Sequence, residues 1–291
     1  MWQQLQIFGF RALWSPYFAL FIALLSIAYF LIFINRKDGR NVTLEQSVSF
    51  YTGIILLYLI KGSPVDLLSH IMFTAHMVQM ALYYLLFPIL IIKGLPKWFW
   101  QGIFDLKIIG SILRLLTKPL IALLLFNGLF SFYHIPVIFD FAKGNEIAHA
   151  SITGIILIAA FIMWWPIFTP LKEMDKLSPL LKIGYIVANG VLITPACALI
   201  IFATTGLYST YGASGGWIQA LALCVPLDVL SGLSLSGPEM FSPLGLVEDQ
   251  QLGGILMKIT QEIIYGILLA KIFFPWFRSG ENKIDPLPAH E

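Results

Sequence analysis

Leu67-Leu68-Ser69-His70-Ile71-Met72-Phe73-Thr74-Ala75-His76-Met77-Val78-Gln79-Met80-Ala81-Leu82-Tyr83-Tyr84-Leu85-Leu86-Phe87-Pro88-Ile89-Leu90-Ile91-Ile92 passes from residue 67 to residue 92 without one Asp, Glu, Lys or Arg. A helix needs about 20 such residues to cross the hydrocarbon of a bilayer, so this stretch predicts a membrane span that carries two histidines. The rest of the chain agrees. Of its 291 residues 58% are hydrophobic and 12% charged, against about a quarter charged in soluble domains. Mean hydropathy is +0.82. Apolar windows bounded by charge and by Pro/Gly clusters predict helices over Pro16 to Ile34, Val48 to Ile60, Leu67 to Ile92, Pro119 to Phe139, Ile147 to Phe168, Ile183 to Ala203 and Ile259 to Phe277. The expectation is an all-α, polytopic transmembrane bundle of about seven helices, a single integral membrane domain over 1–291. Tyr17 to Ile34 exceeds the apolar part of a signal peptide, and no A-x-A-like site follows it, so it reads as the first span.

Basic residues set the expected orientation. One alternating set of connections holds Arg36, Lys37, Arg40, Lys93, Lys97, Lys107, Arg114, Lys118, Lys172, Lys176, Lys182, Arg278 and Lys283; the other holds Arg11, Lys61 and Lys143. Lysine and arginine collect on the cytoplasmic side, which puts the N-terminus outside and the C-terminus in the cytoplasm. Lys258 and Lys271 remain inside the last helix. Between Lys97 and Lys118, Lys107, Ser111, Arg114 and Lys118 form a basic stripe opposite Phe99, Ile103, Leu106 and Leu113. That pattern predicts an amphipathic helix over 97–118 on the inner leaflet, drawn to anionic membrane lipids, with a solvated loop as the alternative. The connection 206–253 is long and Gly-rich and lacks Lys and Arg. It is expected to be an extracytoplasmic loop, with Trp217 to Leu230 as a re-entrant or interfacial segment.

Ionisable groups in hydrocarbon are costly and mark function by default. With this orientation His70, His76, His134 and His149 all fall toward the extracytoplasmic face, His76 lying about 9 Å deeper than His70 at 1.5 Å per residue. His290 lies in the polar C-terminal tail. Met72, His76 and Met80 recur every four residues and are expected on one helix face, with Met77 beside them. Thioether with imidazole suits copper, Cu(I) above all, whereas a harder cation would call for carboxylates. The candidate metal ligands are therefore His76, Met80, His70, His134, His149, Met72 and Met77. Each has an ordinary reading too, because methionine commonly fills gaps in apolar helices and an edge histidine commonly hydrogen-bonds at the interface. Met240 and Met257 are further thioethers within expected reach. Asp66, Asp140, Glu146, Asp228, Glu239, Glu248 and Asp249 are expected on the same side, able to hold the second nitrogen of a ligand imidazole. Cys197 and Cys224 are too few for a disulfide framework. Glu262 shares a stripe with Lys258 and Tyr265, which suggests an internal ion pair. No nucleotide, protease or kinase signature occurs, and the basic residues do not interleave with aromatics as a nucleic-acid groove requires.

Several segments together resemble a known family. Ile7-Phe8-Gly9-Phe10-Arg11-Ala12-Leu13-Trp14-Ser15-Pro16-Tyr17-Phe18, Lys61-Gly62-Ser63-Pro64, Ala75-His76-Met77-Val78-Gln79-Met80, Trp164-Trp165-Pro166 and Val247-Glu248-Asp249-Gln250-Gln251-Leu252-Gly253-Gly254 are similar to the CtaG assembly factors of Gram-positive bacteria. The likeness runs along essentially the whole chain. It implies a non-catalytic factor for caa3-type cytochrome c oxidase, with the oxidase subunits as partners and copper insertion as the role. Many members of that family carry a second histidine where this chain has Met80, so the resemblance implies a His/Met pair in place of His/His. Copper held within one chain and copper held between two copies, a homo-oligomer, are both compatible with it. A haem-binding membrane cytochrome, a transporter and a metal-free scaffold for oxidase subunits are the competing readings.

Overall fold

The computed structural model describes residues 2–35, 41–212 and 215–279. Arg36, Lys37, Arg40, Lys283 and His290 lie outside the described residues. Among the described residues there is no strand. Helix α1 (Pro16–Tyr29) continues through a wider-wound stretch, Phe30–Ile34, and is followed by α2 (Leu44–Lys61), α3 (Pro64–Ile71) and α4, which runs from Phe73 to Gly94. Next come α5 (Lys97–Phe104), α6 (Lys107–Leu116), α7 (Pro119–Tyr133), α8 (Pro136–Lys143), α9 (Glu146–Phe168), α10 (Pro179–Ile201) and α11 (Leu246–Arg278). Five helices are long and apolar enough to cross a membrane, or up to seven if each of two bent pairs is one span. Large apolar side chains stand outward on these helices, among them Leu20, Leu24, Ile155, Ile158, Val191 and Ile263. An exposed apolar girdle of this extent suits hydrocarbon and not water, and the chain is a multi-pass membrane protein.

Three expected boundaries differ. The third span does not run unbroken from Leu67. Met72 is extended (φ −124°, ψ 132°), which ends α3 and starts α4. Pro136 likewise begins a separate short helix, so the fourth span stops at Tyr133 and not at Phe139. The last helix starts at Leu246, well before Ile259, and takes in the end of the expected loop. The segment 97–118 forms two helices, α5 and α6, broken at Asp105 and Leu106, and α6 meets α7 at 83°.

The cause of the break at Met72 lies far along the chain. Asp249, in the first turn of α11, accepts hydrogen bonds from the Phe73 amide (2.6 Å) and the Thr74 amide (3.2 Å), while its own carbonyl accepts from the Thr74 hydroxyl (2.8 Å). The first amides of any helix lack partners within it, and here a carboxylate from another helix supplies them. The residues that follow complete the junction. Gln250 accepts from the Leu207 amide, and Gln251 donates to the Ala203 carbonyl. Gly253 and Gly254 let α11 approach on two sides: a Cβ at Gly253 would stand 2.8 Å from Phe73 and 3.1 Å from the Thr74 Cα, and one at Gly254 would stand 2.8 Å from Ile201.

Deeper in the bundle Asn127 donates to Asn189 (2.6 Å), and Asn189 donates to the Tyr265 hydroxyl (2.7 Å), tying α7, α10 and α11 by side-chain bonds away from water. At the histidine end the N-terminal residues Leu5, Phe8, Ala12 and Leu13 pack with Leu67 and Ile71 of α3 and with Trp217, Leu221 and Leu230 of the long connection. Trp217 to Leu230 is thus not one segment but two short helices, Gly215–Leu221 and Leu227–Ser231, in an apolar cap over that end.

Candidate functional site

All four described histidines gather at one end of the bundle, where α4, α9 and α11 begin and α7 and α10 finish. His76 lies one turn into α4 and is fully buried. Its ring is surrounded by Phe139 (5.1 Å between centroids), Phe73 (5.9 Å), Tyr133 (6.2 Å), Tyr211 (6.3 Å) and His134 (6.5 Å). Neither His76 nitrogen has a hydrogen-bond partner among the described residues. A neutral imidazole carries one donor and one lone pair, and leaving either unpaired in a buried site costs about 1–3 kcal/mol.

His134 caps the end of α7, and its Nδ1 lies 2.7 Å from the Phe130 carbonyl. A carbonyl only accepts, so Nδ1 carries the proton and the lone pair is left on Nε2. That Nε2 is buried and also has no partner among the described residues. A backbone carbonyl that fixes the tautomer is how many ligand imidazoles are oriented. The buried Tyr133 hydroxyl is a further unpartnered atom beside the pair. Tyr208 donates to the His134 carbonyl (2.9 Å), and Asp140 accepts from the amides and hydroxyls of Ser209 and Thr210, which holds the turn bearing Tyr211 over the site.

His70 and His149 form a second pair, 5.8 Å between centroids. Here Lys143 intervenes. It is 1% exposed, and its Nζ lies 3.3 Å from both the Ser69 carbonyl and His70 Nδ1. Where Lys143 is an ammonium, the His70 Nδ1 lone pair is occupied. Burial pushes the Lys143 amine down to about 7, with Lys61 adding to the fall and Asp66 opposing it. The unfolded chain keeps this lysine protonated up to its ordinary 10.5, so between pH 7 and 10.5 the unfolded state holds more protons and stability rises with pH. Thermal unfolding in detergent should show wild type gaining on Lys143→Met across that window by up to about 1.4 kcal/mol per pH unit. Parallel pH profiles for the two proteins would contradict this.

The other candidates divide. Met77 and Met80 are fully buried in the core that contains Phe73 and Tyr133. Met72 is not on the face shared by His76 and Met80, because it sits in the extended corner and packs with the N-terminal cap. Met257 is buried in the main core and Met240 lies against the cap. Asp66, Asp140 and Asp249 do not hold imidazoles: Asp66 pairs with Lys61 (3.3 Å) and accepts from Gln79, and the other two bond backbone amides. Amides at helix starts and turns outcompete a ring nitrogen for a carboxylate, since each offers a fixed donor with no lone pair to avoid. Both cysteines are free. Burial pushes the Cys224 thiol up, away from the thiolate a soft metal would take. Glu262 does pair with Lys258 (2.9 Å), whereas Tyr265 bonds Asn189. Among the described residues no three His, Cys, Asp or Glu side chains come close enough to share a metal ion. The site is thus a pair of imidazoles inside a shell of aromatic rings, with the buried Met77 and Met80 on the same helix as His76. Sequence reasoning missed Tyr133, Tyr208, Tyr211 and Lys143, which carry no periodic signal and reach the site from helix ends and a loop.

The fold and this site define a polytopic helical membrane protein with a buried histidine cluster at one end of the bundle. Residues 27–279 match the family model described as cytochrome c oxidase caa3 assembly factor, and the chain belongs to that family. No curated protein and no solved structure gives a match.

Proposed function

We propose that this chain holds copper between His76 and His134 on the extracytoplasmic side and supports its insertion into caa3-type cytochrome c oxidase. The observation that carries the reading is the convergence of unpartnered, buried nitrogens, both on His76 and Nε2 on His134, with the rings 6.5 Å apart. Two metal–nitrogen bonds of about 2 Å each span such a gap. Few ligands, with only thioethers nearby, favour Cu(I) and allow fast release, as a donor of copper cargo requires. The factor acts by delivery and not by turnover, and the oxidase subunits are its partners. Aromatic rings close around His76 leave no slot for a macrocycle, which argues against haem.

Metal analysis with X-ray absorption on the purified protein tests the site. Copper with nitrogen ligands is expected in wild type, falling at least about tenfold in His76→Ala and in His134→Ala, with oxidase activity falling alongside. Unchanged copper content in both variants rules the site out. Sidedness is the second arm, in a background lacking Cys197 and Cys224. An impermeant maleimide on intact cells should label Glu146→Cys at the histidine end and spare Lys107→Cys on α6. The reverse pattern would end any role in loading copper from outside.

A further inference from the structure

We infer that an anionic phospholipid of the leaflet on the lysine-rich side occupies a groove between α4 and α11, its acyl chain along the groove and its phosphate between Lys93 and Lys271. The groove has a volume of about 420 Å³ and is lined along its length by Leu82, Leu86, Ile89, Ile263 and Ile267, with Lys93 and Lys271 at one end. Asp249 bonds Phe73 at the start of both helices, and one groove is lined by α4 as far as Lys93 and by α11 from Thr260 as far as Lys271, so the two helices run in the same direction and bring the two lysines to the same end. From Leu82 to Lys93 the groove follows α4 for about 16 Å at 1.5 Å per residue. That is close to half of a hydrocarbon core about 30 Å thick, the depth one leaflet's chains fill.

The lysines need such a ligand unequally, and the contrast is informative. Lys258, on the same helix, has its ammonium met by the Gly190 carbonyl, Thr194, Gln261 and Glu262. Lys271 has no hydrogen bond or ion pair among the described residues, although it stands seven residues inside the end of α11. Lys93 has one weak ion pair, 3.8 Å to an outward-standing Glu45. The phosphodiester of an anionic lipid would give both ammonium groups an acceptor and offset their charge, whereas the phosphate of a zwitterionic lipid is already balanced by its own cation and leaves the net charge unmet. Basic grooves between membrane helices bind anionic headgroups in this way. This inference does not depend on the copper reading.

Delipidated full-length protein in detergent, titrated with dipalmitoyl phosphatidylglycerol or phosphatidylcholine and read by native mass spectrometry, tests it. Phosphatidylglycerol should bind about tenfold to thirtyfold tighter than phosphatidylcholine. The double variant Lys93→Gln, Lys271→Gln should abolish that preference, and Ile267→Trp, which fills the groove and keeps the charges, should weaken both lipids. Lys107→Gln with Lys118→Gln, on the neighbouring basic stripe, should leave the preference intact. Equal binding of the two lipids by wild type would overturn the assignment, as would an equal loss in the two double variants, which would mean diffuse attraction to basic surface.

Discussion

Replacing Asp249 with Ala is expected to cost about 3–5 kcal/mol of stability, more than any other single change near the histidines. The substitution removes a charged acceptor that serves the buried Phe73 amide at 2.6 Å and the half-buried Thr74 amide at 3.2 Å. Hydrogen bonds to charged groups contribute about 1.5–3 kcal/mol each, and a buried donor left without a partner adds a penalty of its own. Both amides belong to the first turn of α4, where the helix has no internal acceptor to offer. Asp249→Asn keeps one carbonyl oxygen and should fall midway. Thermal unfolding of the purified protein in detergent orders the three. His76 stands one turn beyond the capped amides, so bound copper should fall with stability in both variants. An alanine variant as stable as wild type would show that the start of α4 is held by something other than this carboxylate.

Gly253→Ala is the second large effect, expected to destabilise by about 1–3 kcal/mol, the usual cost of overpacking. The added carbon would meet Phe73 at 2.8 Å, the Thr74 Cα at 3.1 Å and the Met77 side chain at 3.2 Å. A side-chain end can rotate away, but a backbone Cα moves only with its helix. Relief therefore comes by shifting α4 against α11, which lengthens the bonds to Asp249. Because both changes act on one junction, the double variant Asp249→Ala, Gly253→Ala should lose less than the sum of the two. Additive losses measured in the same assay would separate the glycine contact from the carboxylate bonds.

The spans were legible because hydrocarbon demands long uncharged runs, and residues 146–168 and 179–201 fall within a few positions of where composition puts them. The interruption at Met72 was not legible. No glycine or proline marks it, and its cause is a side chain 176 positions away. The start of the last helix was hidden for the same reason: Asp249, Gln250 and Gln251 read as loop residues until each finds a backbone group on another element. At the site, spacing drew attention to His76 but could not couple it to His134, whose placement depends on a carbonyl in its own last turn and on rings from α8 and the loop. Likewise the four-residue repeat put Met72 on the wrong surface, since periodicity assumes an unbroken helix. The likeness carried by Asp249 through Gly254 pointed to the right family, and the structure gives those residues a mechanical reason.

Closure of the bundle between Phe73 and Asp249 also fixes an order of events during synthesis. A ribosome will have made every apolar helix but the last, with His70, His76, His134 and His149, before the residue that stops α4 from fraying has been translated. A chain ending ahead of Leu246 would contain His70, His76, His134 and His149 and still lack the carboxylate that holds the start of α4. On the copper role proposed above, metal acceptance would wait until the last span is made, and a half-made factor would not sequester copper it has no means of passing on.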